Sequence, residues 1–305
     1  MRLRLTFHRT LQMLFHSAEG MDLQNRSSYG IWIVLFLLIA TPFTGISSSL
    51  YNEDESEHDF AESTTPEFVN ARAQTTWTGS VTVTSTYTVS VFDELIISPC
   101  TQVEMGSGAR IYVEGRLTVE GTVACPVTLT SLTGSDHEGI QFNSSSNNRG
   151  SLLNNLTIED SIYGITMYGA NPIIHNLTLL NPDRVGIDMF SNSAPQIFDL
   201  VINQAGRVLP FQGDWRYGLG LSIGSGSTPI VDGALFTDHL TRAINIWGGS
   251  GGVLRNLVMS NVSGSSWAIS AGVWIEDSQP LLINLSVDRS VSYTHLRAHE
   301  TSRNL

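Results

Sequence analysis

Lysine is missing from the whole chain of 305 residues, and all 16 basic side chains are arginine. That excludes Schiff-base catalysis, anchoring of a pyridoxal cofactor and the lysine of a phosphate-binding loop, each of which needs a primary amine on a long stem. Charge is sparse: 14% of residues are charged and the formal net charge is −12. The chain is therefore neither a basic nucleic-acid binder nor a highly charged disordered segment. Cysteine is limited to Cys100 and Cys125. Hydrophobic residues make up 41%, and much of the remainder is Gly, Ser, Thr and Asn, which suits a β-rich globular domain and disfavours helical bundles.

The longest apolar run, IWIVLFLLIA over residues 31–40, extends to about 16 residues with its flank counted, short of the ~20 that cross a bilayer. Arg2, Arg4, Arg9 and Arg26 precede it, and Glu53, Asp54, Glu55, Glu57, Asp59 and Glu62 follow it. Residues 1–50 are read as a signal peptide or leader that sends the remainder to the surface or the medium, with Met13 and Met21 as alternative starts. An uncleaved anchor is the alternative, and the one membrane contact expected. Residues 51–74, acidic and rich in Ser and Thr, read as a solvated linker; a calcium-binding tract is the functional alternative, and no other cofactor is expected. Residues 291–301 read VSYTHLRAHET and match the in-frame translation of a transposon-end sequencing adaptor. Residues 291–305 are thus expected to be a library artefact, the His295 and His299 pair is discarded as a metal site, and the natural chain is expected to continue differently after residue 290. Between residues 51 and 290, 10 arginines face 25 acids, a net charge of −15.

Internal repetition dominates what is left. One tract recurs as NLTI at Asn155, NLTL at Asn176, DLVI at Asp199, GALF at Gly233, NLVM at Asn256 and NLSV at Asn284. A second recurs between them as GIQF at Gly139, GITM at Gly164, GIDM at Gly186, GLSI at Gly220, AINI at Ala243 and GVWI at Gly272. A third begins at Pro172, Pro195, Pro229, Gly252 and Pro280. From Ile140 the second tract returns at intervals of 25, 22, 34, 23 and 29 residues, so the basic turn is about 22 residues with two insertions. Each tract is short and alternates apolar with polar residues, so none can bury its apolar face alone. Coiling the chain so that equivalent tracts stack about 4.8 Å apart pairs every backbone group and builds one core. Two earlier turns are expected over residues 95–130, matching Leu95 and Ile97 to Leu117 and Val119, and Val103 and Met105 to Val127 and Leu129. Val81, Val83, Tyr87, Val89 and Val91 alternate with polar residues and are expected to cap the first coil.

The fold class expected is all-β, a right-handed parallel β-helix over residues 75–290. On these repeats, and on the tract EGRLTVEGTVACPVTLT over residues 114–130, the chain resembles the right-handed parallel β-helix proteins of the pectate-lyase-like superfamily. That resemblance spans roughly residues 78–290 and implies architecture more than chemistry. An enzyme of that kind needs clustered outer-face carboxylates for hydrolysis, or acidic calcium ligands plus a base for elimination.

In the second tract, Ile165, Met167, Ile187, Met189, Ile244 and Ile246 should point inward. Thr166, Asp188, Ser222, Asn245 and Trp274 should then line an outer column, with Tyr168, Phe190, Gly224 and Trp247 beside it. An insertion carrying Arg207, Phe211, Asp214, Trp215, Arg216 and Tyr217 is expected to overhang that face. The candidate ligand face is therefore Tyr168, Asp188, Phe190, Trp215, Tyr217, Asn245, Trp247 and Trp274, suited to a polysaccharide or surface glycan. The competing reading is that these rings simply pack under the insertion. Asp188 is the weak catalytic candidate of a polysaccharide lyase or glycoside hydrolase, the alternative to a binding or structural module; Asp183, Asp214, Arg184 and Arg216 are further residues that loops could bring to it. Asp136, His137 and Glu138 read as a polar loop rather than a metal site. Cys100 and Cys125, about one coil apart, are disulfide candidates. Between residues 51 and 290, Asn143, Asn155, Asn176, Asn261 and Asn284 satisfy N-x-S/T. Asn155, Asn176 and Asn284 share a repeat position explained by stacked amides, leaving Asn143 and Asn261 as the glycosylation candidates.

Overall fold

The computed structural model describes residues 73–206, 218–262 and 270–288, all within one compact unit, Glu67–Leu305. The leader, most of the linker, much of the insertion and the adaptor-like segment lie outside the described residues.

The first coil is β1 (Gln74–Trp77), β2 (Ser80–Val83) and β3 (Tyr87–Val89); the second is β4 (Glu94–Ile97), β5 (Gln102–Met105) and β6 (Ile111–Val113); the third is β7 (Arg116–Glu120), β8 (Val127–Ser131) and β9 (Ile140–Phe142). From there each coil has one long and one shorter strand: β10 (Leu152–Glu159) with β11 (Tyr163–Tyr168), β12 (Ile173–Leu180) with β13 (Val185–Phe190), and β14 (Gln196–Asn203) with β15 (Leu219–Ile223). β16 (Ile230–Thr237) with β17 (Arg242–Ile246), β18 (Val253–Ser260) with β19 (Ala271–Ile275), and β20 (Leu281–Asp288) follow. All pairings between these strands are parallel. The strands form a 12-stranded sheet running from β1 to β20 and an 8-stranded sheet running from β3 to β19. This is a parallel β-helix. The second tract stacks as its intervals require, Ile140 on Ile165, Ile187, Leu221, Ile244 and Val273.

The first and third tracts prove to be two halves of one strand. β10 pairs with β7 through its first half and with β8 through its second, and the chain bends where the halves meet. The residue at the bend is Asn155, Asn176, Asp199, Gly233, Asn256 or Asn284, each with φ between 46° and 75°. Left-handed backbone costs most residues about 1–2 kcal/mol, and Asn, Asp and Gly tolerate it best. The same rule sets the next corner, where Asp160, Asn181, Gln204, Asp238 and Asn261 all have positive φ. The corner after the 8-stranded sheet uses a buried serine as well: Ser146, Ser193, Ser227 and Ser250 each donate a hydroxyl to the carbonyl three residues back, at 2.6–2.7 Å.

Side-chain stacking at the first bend is sparser than a continuous amide ladder. Asn284 donates to Asn256 at 2.8 Å, and Asn256 to Asp232 at 2.7 Å. Asn155 instead donates to the Gly121 carbonyl at 3.0 Å.

Two expectations change at the N-terminal end. The alternating segment from Val81 to Val91 does not lie across the first coil. It breaks at a corner into β2 and β3 and forms that coil with β1, while Trp77 and Tyr87 pack edge to face at 4.8 Å to close the core. In the second coil Val103 stacks on Leu129 and Met105 on Ser131, not on Val127 and Leu129. The slip is two residues, which keeps the same face inward, so alternation cannot detect it.

The core is a continuous stack of buried aliphatic residues with Phe142 and Phe236 among its largest members. Gly139, Gly164, Gly186 and Gly220 of the second tract are set by backbone proximity: a Cβ on Gly186 would lie 2.6 Å from the Gly220 carbonyl oxygen. Gly186→Ala should therefore lower stability by about 1–3 kcal/mol. Gly251→Ala, where the nearest atom is 3.4 Å away, should change it by less than about 0.5 kcal/mol. Denaturant unfolding checks both, and equal stabilities would contradict the packing.

His137 and His239 are fully buried. The His137 ring lies 3.0 Å from the Glu159 carbonyl through Nε2 and accepts from the Gly139 amide through Nδ1 at 3.0 Å; burial lowers its pKa. Burial pulls His239 down to about 4, against the opposing Ile202 carbonyl and Asp238 charge. Between about pH 6.5 and 4 the unfolded chain binds the proton that the folded one refuses, so stability is full above this window and falls as pH drops through it. The His239 share is on the order of 3 kcal/mol. Chemical unfolding across this window should show a shallower pH slope for His239→Leu than for wild type; identical slopes would contradict the assignment.

Candidate ligand-binding face

The 8-stranded sheet places Gln141, Thr166, Asp188, Ser222, Asn245 and Trp274 in one register column. Their neighbours Ile165, Met167, Ile187, Met189, Ile244 and Ile246 belong to the core, so the column faces outward. It is nonetheless closed to solvent along most of its length: Thr166 is 9% exposed, Asp188 2%, Ser222 0% and Asn245 2%. Expectation and structure agree on the direction of these side chains and differ on their accessibility. Period-two alternation reports which face a residue is on, not what covers that face.

The accessible part is the aromatic row beside it. Tyr168, 39% exposed, stacks on Phe190 with ring centroids 5.3 Å apart and planes 15° apart. Phe190 meets Trp247 edge to face at 6.2 Å. These residues come from alternate coils around Gly224, and the Trp247 indole fills the space over that glycine that a side chain would occupy. Trp274 is half-buried, and its indole N–H makes no hydrogen bond among the described residues; neither does the buried Ser222 hydroxyl.

Arginines flank the polar column: Arg184 is among the residues expected near it, Arg110 and Arg242 are not. Arg242 Nη1 donates to Asn245 Oδ1 at 2.7 Å, and its guanidinium lies 4.5 Å over the Trp274 ring. Burial lowers its pKa, and Glu276 opposes the shift. Arg110 donates to Gln141 at 2.6 Å and Arg184 to the Tyr163 hydroxyl at 3.2 Å. The signal was available, since Arg110, Arg184 and Arg242 all sit at the entry to a second-sheet strand. Arg184 enters the strand that carries Asp188 and reaches back to Tyr163 on the neighbouring one. Trp215 and Tyr217, with Asp214 and Arg216, lie outside the described residues.

The other candidates are elsewhere. Cys100 and Cys125 form a disulfide with Cα atoms 4.6 Å apart, joining the bends of the second and third coils. Asn143 caps a short 3-10 turn and donates to the Tyr112 hydroxyl at 2.6 Å, and Asn261 donates to the Asp238 carboxylate. His137 of the Asp136-His137-Glu138 tract is held by backbone groups, and Glu138 pairs with Arg110 at 3.9 Å. Among the described residues, no group of three or more His, Cys, Asp or Glu is placed to hold a metal ion.

The arrangement offers rings in a row, a guanidinium and amides beside them, and one carboxylate, Asp188, within the column. Rings of this kind beside polar donors can pack on the apolar faces of a polar chain. No curated protein matches the chain. Residues 79–263, more than half of the sequence, match the right-handed β-helix region, and the chain belongs to that family.

Proposed function

We infer that this is an exported β-helix module of the cell surface or extracellular space. Its Tyr168, Phe190, Trp247 and Trp274 face binds a glycan, and the coil serves as a structural or adhesive support. The row of Tyr168, Phe190 and Trp247 along the coil axis carries this reading. Coils repeat at about 4.8 Å, of the order of one sugar ring, so a sugar chain lying along the coil axis meets the stacked Tyr168 and Phe190 pair and then Trp247 in turn. Arg242, held by Asn245 from beneath, supplies guanidinium donors beside them. The alternative, a lyase or hydrolase acting near Asp188, draws less support, because a 2% exposed carboxylate is poorly placed to reach a polymer bond.

Titrating the purified chain with oligosaccharides should give saturable quenching of tryptophan fluorescence and no product over time. Trp247→Ala should weaken binding at least ~10-fold, while His175→Ala on the other sheet should leave it unchanged. Time-dependent product would instead support the enzyme, and absence of any binding would leave a purely structural role.

A further inference from the structure

The five N-x-S/T asparagines among the described residues are alike in sequence, but the structure separates them by what each amide nitrogen does. Asn143 Nδ2 donates to Tyr112 at 2.6 Å, Asn155 Nδ2 to the Gly121 carbonyl at 3.0 Å and Asn284 Nδ2 to Asn256 at 2.8 Å. Asn261 Nδ2 is held by Asp238. Asn176 is exposed, and among the described residues its side chain makes no hydrogen bond. Its left-handed backbone, φ 53°, fixes it at the bend of β12. Beside it opens a groove of about 460 Å³ lined by Asn155, Thr178, Asp199, Val201 and Leu235 among others, with Leu235 38% exposed.

We propose that Asn176 is an N-glycosylation acceptor and that the first sugar of its glycan lies in this groove. Asn176 Nδ2 attacks the anomeric carbon of an oligosaccharide carried on a lipid pyrophosphate. The C–N bond forms, the bond from that carbon to the phosphate oxygen breaks, the lipid pyrophosphate leaves, and the displaced amide proton passes to the transferase. At the other four positions one of the two amide hydrogens is already engaged, so a sugar there must replace the remaining one and fit beside the partner, and disturbing such a hydrogen bond costs about 1 kcal/mol. Asn176 has no such partner to displace, and the groove offers room over Thr178 and Val201. Repetition concealed this, because Asn176 occupies the bend position whose asparagines the backbone alone explains. The site lies on the bent sheet, away from the aromatic row, and shares with the proposed glycan recognition only the route out of the cell.

The test uses the full chain fused behind a secretory signal, translated with microsomes, so that entry does not depend on its own leader. The protease-protected fraction is deglycosylated in ¹⁸O water, which converts each glycosylated asparagine to labelled aspartate, and is then mapped by peptide mass. Label at position 176 is the expected result, and Asn176→Asp and Thr178→Val should each remove one glycan mass. An unlabelled Asn176 in the protected chain would overturn the proposal, whichever other sequons carry label. Asn176→Asp should leave oligosaccharide binding unchanged, so this site and the recognition face fail or stand separately.

Discussion

Everything in this molecule depends on pairing strand edges. A three- to eight-residue strand exposes a row of N–H and C=O groups and buries one apolar face only if something lies against it. Here each coil is the partner of the next, through parallel pairs that run from β1 to β20 and from β3 to β19. The chain must then turn sharply in every coil, and it does so with left-handed residues at recurring corners. The Asn, Asp, Gly and Ser content follows from this geometry. So do Gly139, Gly164, Gly186 and Gly220, which sit where the backbone of one coil approaches that of the next too closely for a side chain.

Stacking also makes the surface. A residue repeated at one position becomes a column about 4.8 Å per step, and a column of unlike residues becomes a graded surface along the coil axis. The aromatic row exists because Tyr168 and Phe190 share a register position, and Trp247 reaches across Gly224 to continue it. The Cys100–Cys125 link joins two neighbouring coils at their bends, close to Thr122, Val123 and Pro126 at the end of the groove. Aromatic row and scaffold are consequences of the same repeat.

The later coils were legible because three tracts lengthen together, and their intervals give the stacking of Ile140, Ile165, Ile187, Leu221, Ile244 and Val273. What escaped the sequence has particular causes. A two-residue slip between β5 and β8 preserves which face is buried, so Val103 could be matched to Val127 as well as to Leu129. The alternation from Val81 to Val91 hides a corner, because Val83 and Val89 keep the same phase on either side of it. Outward residues such as Asp188 and Ser222 proved buried, since pattern gives orientation and not cover. The roles of Ser193 and Ser227, and the difference between Asn176 and its four sequon counterparts, depend on distances that spacing does not contain.

The columns on both sheets require a fixed register between coils, which cross-linking can read out. In the second half of the bent strands Thr178 lies beside Val201, both outside the core. Cysteines placed at Thr178 and Val201 should oxidise to a disulfide readily and leave the thermal unfolding midpoint undiminished, because Cα atoms of adjacent strands fall within disulfide reach. Cysteines at Thr178 and Asn203, two residues out of register, should not. Efficient cross-linking of the Thr178 and Asn203 pair, with failure of the Thr178 and Val201 pair, would contradict the stacking and the columns built on it.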